Sequence, residues 1–244
     1  GTSRAREYAD ELREQWRAEP RSHVVDCWMV TERRDCPGCR GRGAEKMWYG
    51  AYIPEALITA PQKVRALLVL VPGGNGGRTR YFLTPIPRKT IYNKMSGGLE
   101  TKRHVDEYLA ANPQAVPPIV VAVNGPALSH INGFTEFFAR DLPNHITNSY
   151  LGGIGVEEIA LGVEGISSGS RTLMKVFRKE PAVFQTLGLT CMHCRRHNGI
   201  DPDKDLGTEQ ERSMWLHQVG ALSAAGLLHI RFSVGNRDNQ WRCN

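Results

Sequence analysis

Two glycines flank a serine at a spacing that can place a nucleophile on a turn. Residues 165–169 read Gly-Ile-Ser-Ser-Gly, with Ser167 at the centre. An apolar run precedes this stretch and a helix-like pattern follows it, which is the setting that a G-x-S-x-G nucleophile requires. Glycines on both sides allow a sharp turn that lifts the serine hydroxyl to the positive end of the following helix. We therefore predict that Ser167 is a nucleophile, and a plain glycine–serine turn is the alternative.

A serine that attacks a carbonyl group also needs hydrogen-bond donors for the oxyanion. The stretch "PGGNGG" follows an apolar run at residues 64–71, and the backbone N–H groups of Gly73 and Gly74 are candidate donors. The N–H of Ser168, the residue after the nucleophile, is the second donor. The spacing does not match G-x-G-x-x-G and lacks the Lys-Ser/Thr pair of a P-loop, which argues against nucleotide binding.

Asp238 is the candidate acid of a catalytic triad, because it follows the last apolar strand in "GNRDN" and could orient a histidine. A turn residue is the alternative. The six residues after Asp238 contain no histidine. His193 lies within the second cysteine pair and His197 three residues after it, and each could be a metal ligand or a displaced general base. His130 lies in the loop after the second buried strand. The other histidines are predicted at the surface or, for His229, within a strand; the surface set is His23, His104, His145 and His217.

Four of the six cysteines form two C-x-x-C pairs, Cys36 with Cys39 and Cys191 with Cys194. An even number of cysteines permits three disulfides in an oxidising compartment. Two such pairs can also supply the four thiolates of a structural zinc site, although strong zinc signals have pairs about 15–20 residues apart. Redox catalysis ranks last, since the expected strand and helix around "CPGC" are missing. Zinc is therefore the one candidate cofactor, and a metal or thiol protein is a third functional hypothesis.

The composition indicates a folded protein of 244 residues, 41% hydrophobic and 23% charged. Lysine and arginine exceed the acidic residues by six, but the basic residues are scattered and form no run of five or six like charges. We therefore expect no nucleic-acid partner. No stretch approaches the roughly 18 apolar residues of a membrane span, so no membrane partner is expected either. The cysteine pairs favour a secreted or periplasmic location, and oligomeric state is left open.

Apolar runs alternate with helical patterns along the chain. Strands are predicted at residues 64–71, 117–123, 157–163, 182–190 and 226–235, with two further strands at 23–31 and 46–54. Helices are predicted between them, and the one around residues 134–150 is expected to break or kink at Pro143. This alternation predicts an α/β fold with a mostly parallel sheet. The carboxyl ends of such strands collect functional residues, which places Ser167 at the edge where chemistry is expected.

Several segments resemble, in order, the esterase D-like branch of the α/β-hydrolase fold, which includes feruloyl, acetyl-xylan and siderophore esterases. They read "VRALLVLVPGGNGG", "PPIVVAVNGP", "FFARDLPNHI", "IALGVEGISSGS", "VFRKEPAVFQTLGL" and "IRFSVGNRDN". The resemblance implies an α/β-hydrolase-like, mostly parallel central sheet flanked by helices. It implies a domain over residues 46–244, after an N-terminal helix and cysteine-containing extension at 1–45.

By this resemblance, Ser167 would be the nucleophile, Asp238 the triad acid, and the amides after Pro72 part of the oxyanion hole. The implied activity is hydrolysis of a carboxylic ester, either a small molecule or one linked to a polysaccharide. A separate hypothesis, from residue chemistry rather than from the resemblance, is that basic and aromatic residues after the first glycine-rich loop contact an anionic or aromatic acyl group, and scattered surface residues are the alternative. They are Arg78, Arg80, Tyr81 and Phe82.

The sequence departs from the family pattern at three places. The family has His-Gly where this chain has Pro72-Gly73, and a second glycine where this chain has Ser170. The family's histidine follows the acid, and here none does. Three interpretations remain open: the chain lacks a C-terminal part of the fold, its base comes from elsewhere, or it is a non-catalytic scaffold that binds a ligand or partner.

Overall fold

The computed structural model describes residues 11, 14–31, 45–73, 100–123, 134–151, 158–190 and 208–233. Seven strands in these residues form one sheet in the order β1-β2-β4-β3-β5-β6-β7. The strands are β1 His23–Thr31, β2 Glu45–Ile53, β3 Ala66–Val71, β4 Pro118–Val123, β5 Ala160–Ile166, β6 Thr186–Thr190 and β7 His229–Ser233. The five strands from β3 to β7 pair in parallel, whereas β1 with β2 and β2 with β4 are antiparallel.

Five helices lie between the strands along the described parts of the chain. They are α1 Ala56–Thr59, α2 Thr101–Ala111, α3 over residues 134–151, α4 Ser168–Lys179 and α5 Glu209–Ala224. The prediction of a mostly parallel sheet flanked by helices is therefore confirmed. No helix in the described part of the chain is long and apolar enough to cross a membrane.

The larger apolar core lies on one face of the sheet. Val69, Val121 and Val163 project from three adjacent strands and are essentially inaccessible to solvent. They belong to one cluster with Phe138 of α3 and Phe177 of α4. Strands of a parallel sheet that is covered by helices have continuous apolar sequences. This explains why β3 and β4 were the easiest strands to predict from the sequence.

A polar cluster anchors α2 to the antiparallel edge of the sheet. The Asp106 carboxylate accepts hydrogen bonds from Tyr52 Oη and Ser22 Oγ, both at 2.8 Å, and from Lys102 Nζ at 2.5 Å. Burial alone would raise the pKa of Asp106, but these donors outweigh it and hold that pKa below its usual value. The cluster joins the start of β1 and the end of β2 to α2. Strand β1 lies within the predicted N-terminal extension and pairs with β2 along all its nine residues.

The expected kink at Pro143 takes the form of widened helical turns within α3. Residues Phe137–Asp141 and Thr147–Leu151 are π-helical, and Leu142–Ile146 between them is α-helical with Pro143 in its first turn. Proline cannot donate a backbone hydrogen bond, and a wider turn absorbs the missing donor without breaking the helix.

His145, which the sequence predicts at the surface, is half-buried and contacts a buried tyrosine. Its Nε2 atom lies 2.9 Å from Tyr49 Oη, which is 3.1 Å from Tyr150 Oη, and the two tyrosines are buried. The imidazole packs edge-on against the Tyr49 ring. Burial lowers the pKa of His145 to about 4. No sequence pattern around His145 indicated this contact, because Tyr49 is 96 residues away in the chain.

Acidification is expected to destabilise the protein through His145. An unfolded imidazole takes up its proton near pH 6.5, whereas the folded one stays neutral down to about pH 4. The unfolded state therefore binds more protons in this window, and stability falls as the pH falls. The expected loss between pH 7 and 4.5 is up to about 2.5 kcal/mol. Urea unfolding at both pH values measures it.

His145→Gln should remove this part of the pH dependence. His217→Gln changes an exposed histidine on α5 and should leave the dependence as it is in the unaltered protein. An unchanged dependence in His145→Gln would show that this imidazole is not the group responsible.

Candidate active site

Ser167 occupies a one-residue turn between a strand and a helix. Strand β5 ends at Ile166 and α4 begins at Ser168. The backbone of Ser167 has φ 55° and ψ −115°. Among the described residues, Glu100 is the only other non-glycine residue with positive φ. Such a conformation costs about 1–3 kcal/mol and persists where the surroundings enforce it, which matches the strained turn of a nucleophile elbow.

The two flanking glycines are sterically required. A Cβ atom at Gly165 would lie 2.6 Å from the backbone nitrogen and Cα of Ser170. A Cβ atom at Gly169 would lie 2.0 Å from the carbonyl oxygen of Val71. Both distances are far below van der Waals contact and involve backbone atoms that cannot rotate away. The G-x-S-x-G spacing is therefore a packing requirement of this turn as well as a sequence motif.

The first glycine-rich segment approaches the serine directly. A Cβ atom at Gly73 would lie 2.7 Å from the Cβ of Ser167 and 2.4 Å from the Ile166 carbonyl oxygen. Gly73 therefore brings its backbone against the elbow, which is the proximity that an oxyanion donor needs. Ser168 begins α4, so its N–H belongs to the unpaired first turn of a helix.

A contact that sequence reasoning missed ties the elbow to the neighbouring strand. The carbonyl oxygen of Thr190, the last residue of β6, accepts a hydrogen bond from the Ser167 N–H at 2.9 Å. The hydroxyl of Ser170 is fully buried and directs its proton at two acceptors, the Gly165 carbonyl at 2.6 Å and the Thr190 carbonyl at 3.0 Å. The departure from the family pattern at Ser170 thus supplies a bond that glycine cannot make.

Most of the other predicted site residues lie outside the described part of the chain. This set comprises Gly74, Arg78, Arg80, Tyr81, Phe82, His130, His193, His197 and Asp238. Of the proposed catalytic and oxyanion groups, the structure brings together Ser167, Ser168 and Gly73. The acid, the base and the substrate contacts stay predictions.

The cysteine pairs also lie outside the described residues, as does Cys243. Cys27 is a buried free thiol on β1, which does not fit a framework in which all six cysteines form disulfides. Within the described ranges, no three side chains of His, Cys, Asp or Glu lie close enough together to hold a metal ion. The choice between two disulfides and zinc for the C-x-x-C pairs stays open.

The order of the strands and the one-residue turn at Ser167 are those of an α/β-hydrolase fold. No protein-family profile and no curated protein matches the chain. Among solved structures it is similar to a ferulic acid esterase, at 14% identity over 88% of this chain and 89% of that one, with a TM-score of 0.52. It is also similar to the siderophore hydrolase EstA from Aspergillus nidulans, at 11% identity over 88% and 69% of the two chains, with a TM-score of 0.54.

These matches confirm the fold that the sequence resemblance implied, with a ferulic acid esterase and a siderophore hydrolase among the similar structures. The low identity limits the comparison to the arrangement of the elements.

Proposed function

We propose that the protein is a serine hydrolase that cleaves a carboxylic ester, with Ser167 as the nucleophile. The observation that carries this proposal is the positive φ of Ser167 in a one-residue strand-to-helix turn. A plain glycine–serine turn has no reason to hold a serine, rather than a glycine, in that conformation. Strained backbone at a reactive side chain is typical of functional sites.

The reaction follows from the groups around the turn. Ser167 Oγ attacks the ester carbonyl, and its proton passes to a base that later delivers it to the departing alcohol. The backbone amides of Ser168 and Gly73, with Gly74, stabilise the oxyanion that forms. Water then attacks the acyl-serine, releases the carboxylic acid and restores the serine. Asp238 with His193 or His197 is our proposal for the acid and the base.

We propose the substrate class from the similar solved structures together with the residues predicted to contact the acyl group. The similar structures are named as an esterase of ferulic acid and a hydrolase of siderophores. A small ester with an aromatic or anionic acyl group is consistent with Arg78 and Tyr81 as binding residues. Hydrolysis of an ester attached to a polysaccharide belongs to the same proposal.

Labelling with a fluorophosphonate tests the nucleophile. Ser167 Oγ displaces fluoride from phosphorus, so one probe should add to each chain and appear in the intact mass. Ser167→Ala should give no adduct. Ser223→Ala alters an exposed serine on α5 and should label like the unaltered protein. Labelling that persists in Ser167→Ala, or a folded protein that never labels, would refute the proposal and favour a non-catalytic binding scaffold.

A further inference from the structure

A carboxylate lies on the sheet three residues before Ser167. Glu164 on β5 is directly opposite Gly188 on β6, and Gly188 is opposite Arg231 on β7. Side chains at directly opposite positions share one face of a sheet. Because Gly188 has no side chain, Glu164 and Arg231 meet above it, with Glu164 Oε2 2.7 Å from an Arg231 guanidinium nitrogen. A Cβ atom at Gly188 would lie 1.7 Å from the same carboxylate oxygen.

The second oxygen of this carboxylate contacts the residue that holds the elbow. Thr190 Oγ1 donates a hydrogen bond to Glu164 Oε1 at 2.5 Å. The carbonyl of the same threonine accepts the Ser167 N–H and the Ser170 hydroxyl. The hydroxyl of Thr190 thus bonds to Glu164, and its carbonyl oxygen bonds to Ser167 and Ser170. The Glu164 side chain is only 16% exposed, so little solvent competes for these bonds.

We propose that Glu164, Thr190 and Ser170 are positioning residues for Ser167. Glu164 fixes the side chain of Thr190, and the Thr190 carbonyl in turn holds the Ser167 N–H. The Ser170 hydroxyl, on α4, donates a second hydrogen bond to the same carbonyl. The chain of bonds opposes the relaxation of a strained backbone, so it sets the direction of the Ser167 hydroxyl without touching substrate. The part of this inference that concerns the reactivity of Ser167 rests on the proposed function.

Thr190→Val tests the first link, because valine keeps the shape of threonine and removes the hydroxyl. The Ser167 amide should exchange with solvent about tenfold faster by NMR, the factor expected for the loss of one hydrogen bond. The rate of phosphonylation by the fluorophosphonate should fall by a similar factor. For an ester substrate, kcat should fall while KM stays constant. Thr190→Ser restores the hydroxyl and should recover these values.

Thr186→Val is the matched control, since Thr186 is an exposed threonine on the same strand and should change none of these quantities. Gly188→Ala tests the same link without altering a polar group, because its methyl group displaces the Glu164 carboxylate. In the otherwise unaltered protein, Gly188→Ala should have the same effect as Thr190→Val. In a protein that already carries Glu164→Ala it should add little, because both substitutions disrupt the same contact. If Thr190→Val fails to fold, Gly188→Ala, made with and without Glu164→Ala, still tests the positioning role.

The outcomes separate this inference from the proposed function. Faster exchange at Ser167 in Thr190→Val, together with slower phosphonylation, supports both. Faster exchange in a protein that never reacts with the probe supports the positioning role and refutes the hydrolase. Unchanged exchange at Ser167 in both Thr190→Val and Gly188→Ala overturns the positioning role, whether or not the protein labels.

Discussion

Glycine in place of Ser167 is expected to make the protein more stable and unreactive at once. Ser167 has φ 55° and ψ −115°, a region that glycine enters without steric cost. The free energy of unfolding should therefore rise by about 1 kcal/mol, within the 1–3 kcal/mol attributed to such strain. Without the hydroxyl, fluorophosphonate labelling and ester hydrolysis should fall by at least about 10³-fold. Urea unfolding and intact mass measure the two effects.

Two controls separate strain from chemistry. Ser167→Ala removes the hydroxyl but keeps a Cβ atom, so it should lose labelling without gaining stability. Glu100→Gly relieves the other positive φ, at 46°, at the loss of the ion pair with Arg103, and should label normally. A loss of stability in Ser167→Gly would contradict the strain that we assign to this turn.

Alanine in place of Gly169 is expected to destabilise the protein more than any other single substitution at the elbow. The new methyl group would lie 2.0 Å from the carbonyl oxygen of Val71 and 2.8 Å from that of Pro72. Neither oxygen can move unless β3 or the start of α4 shifts. Overpacking in a core typically costs about 1–3 kcal/mol, and a backbone clash places this variant at about 3 kcal/mol or more. Urea unfolding measures the change, and labelling should be lost with it.

Gly220→Ala is the matched control for this prediction. Gly220 lies on α5, and nothing stands within 4 Å of a Cβ atom built there. Alanine is a better helix former than glycine by about 1 kcal/mol, so this variant should be slightly more stable than the unaltered protein. Equal stabilities for Gly169→Ala and Gly220→Ala would contradict the close approach of Val71 to the elbow.

The elbow was predictable because its signal is local. Five consecutive residues carry the glycine spacing, and the apolar run before them predicts the strand. Strands β3 and β4 were predictable for the same reason, since burial on both faces leaves an unbroken apolar pattern. Strand β5 begins at Ala160 rather than at the predicted residue 157, and β6 begins at Thr186. A turn of 3₁₀-helix at Pro181–Val183 occupies the start predicted for β6.

The contacts that sequence reasoning missed depend on which strands are neighbours. Glu164 meets Thr190 and Arg231 only because β6 lies between β5 and β7 in the observed register. His145 reaches Tyr49 because α3 covers β2, which is distant in the chain. A single sequence carries no record of strand register, so a glutamate in an apolar strand and a glycine in the next one showed no relation to each other.

The pairing of β3 with β5 has a consequence for how the protein folds. Ala66 on β3 lies opposite Ala160 on β5, so two helices and a strand of the described chain stand between the two partners. Closing so long a loop is entropically costly, and folds dominated by such contacts form slowly. Gly73 follows β3 and Ser167 follows β5, so the two meet only after this pairing has formed. During refolding, reactivity at Ser167 should therefore return only once this long-range pairing has formed, which makes the serine hydroxyl a reporter of the pairing.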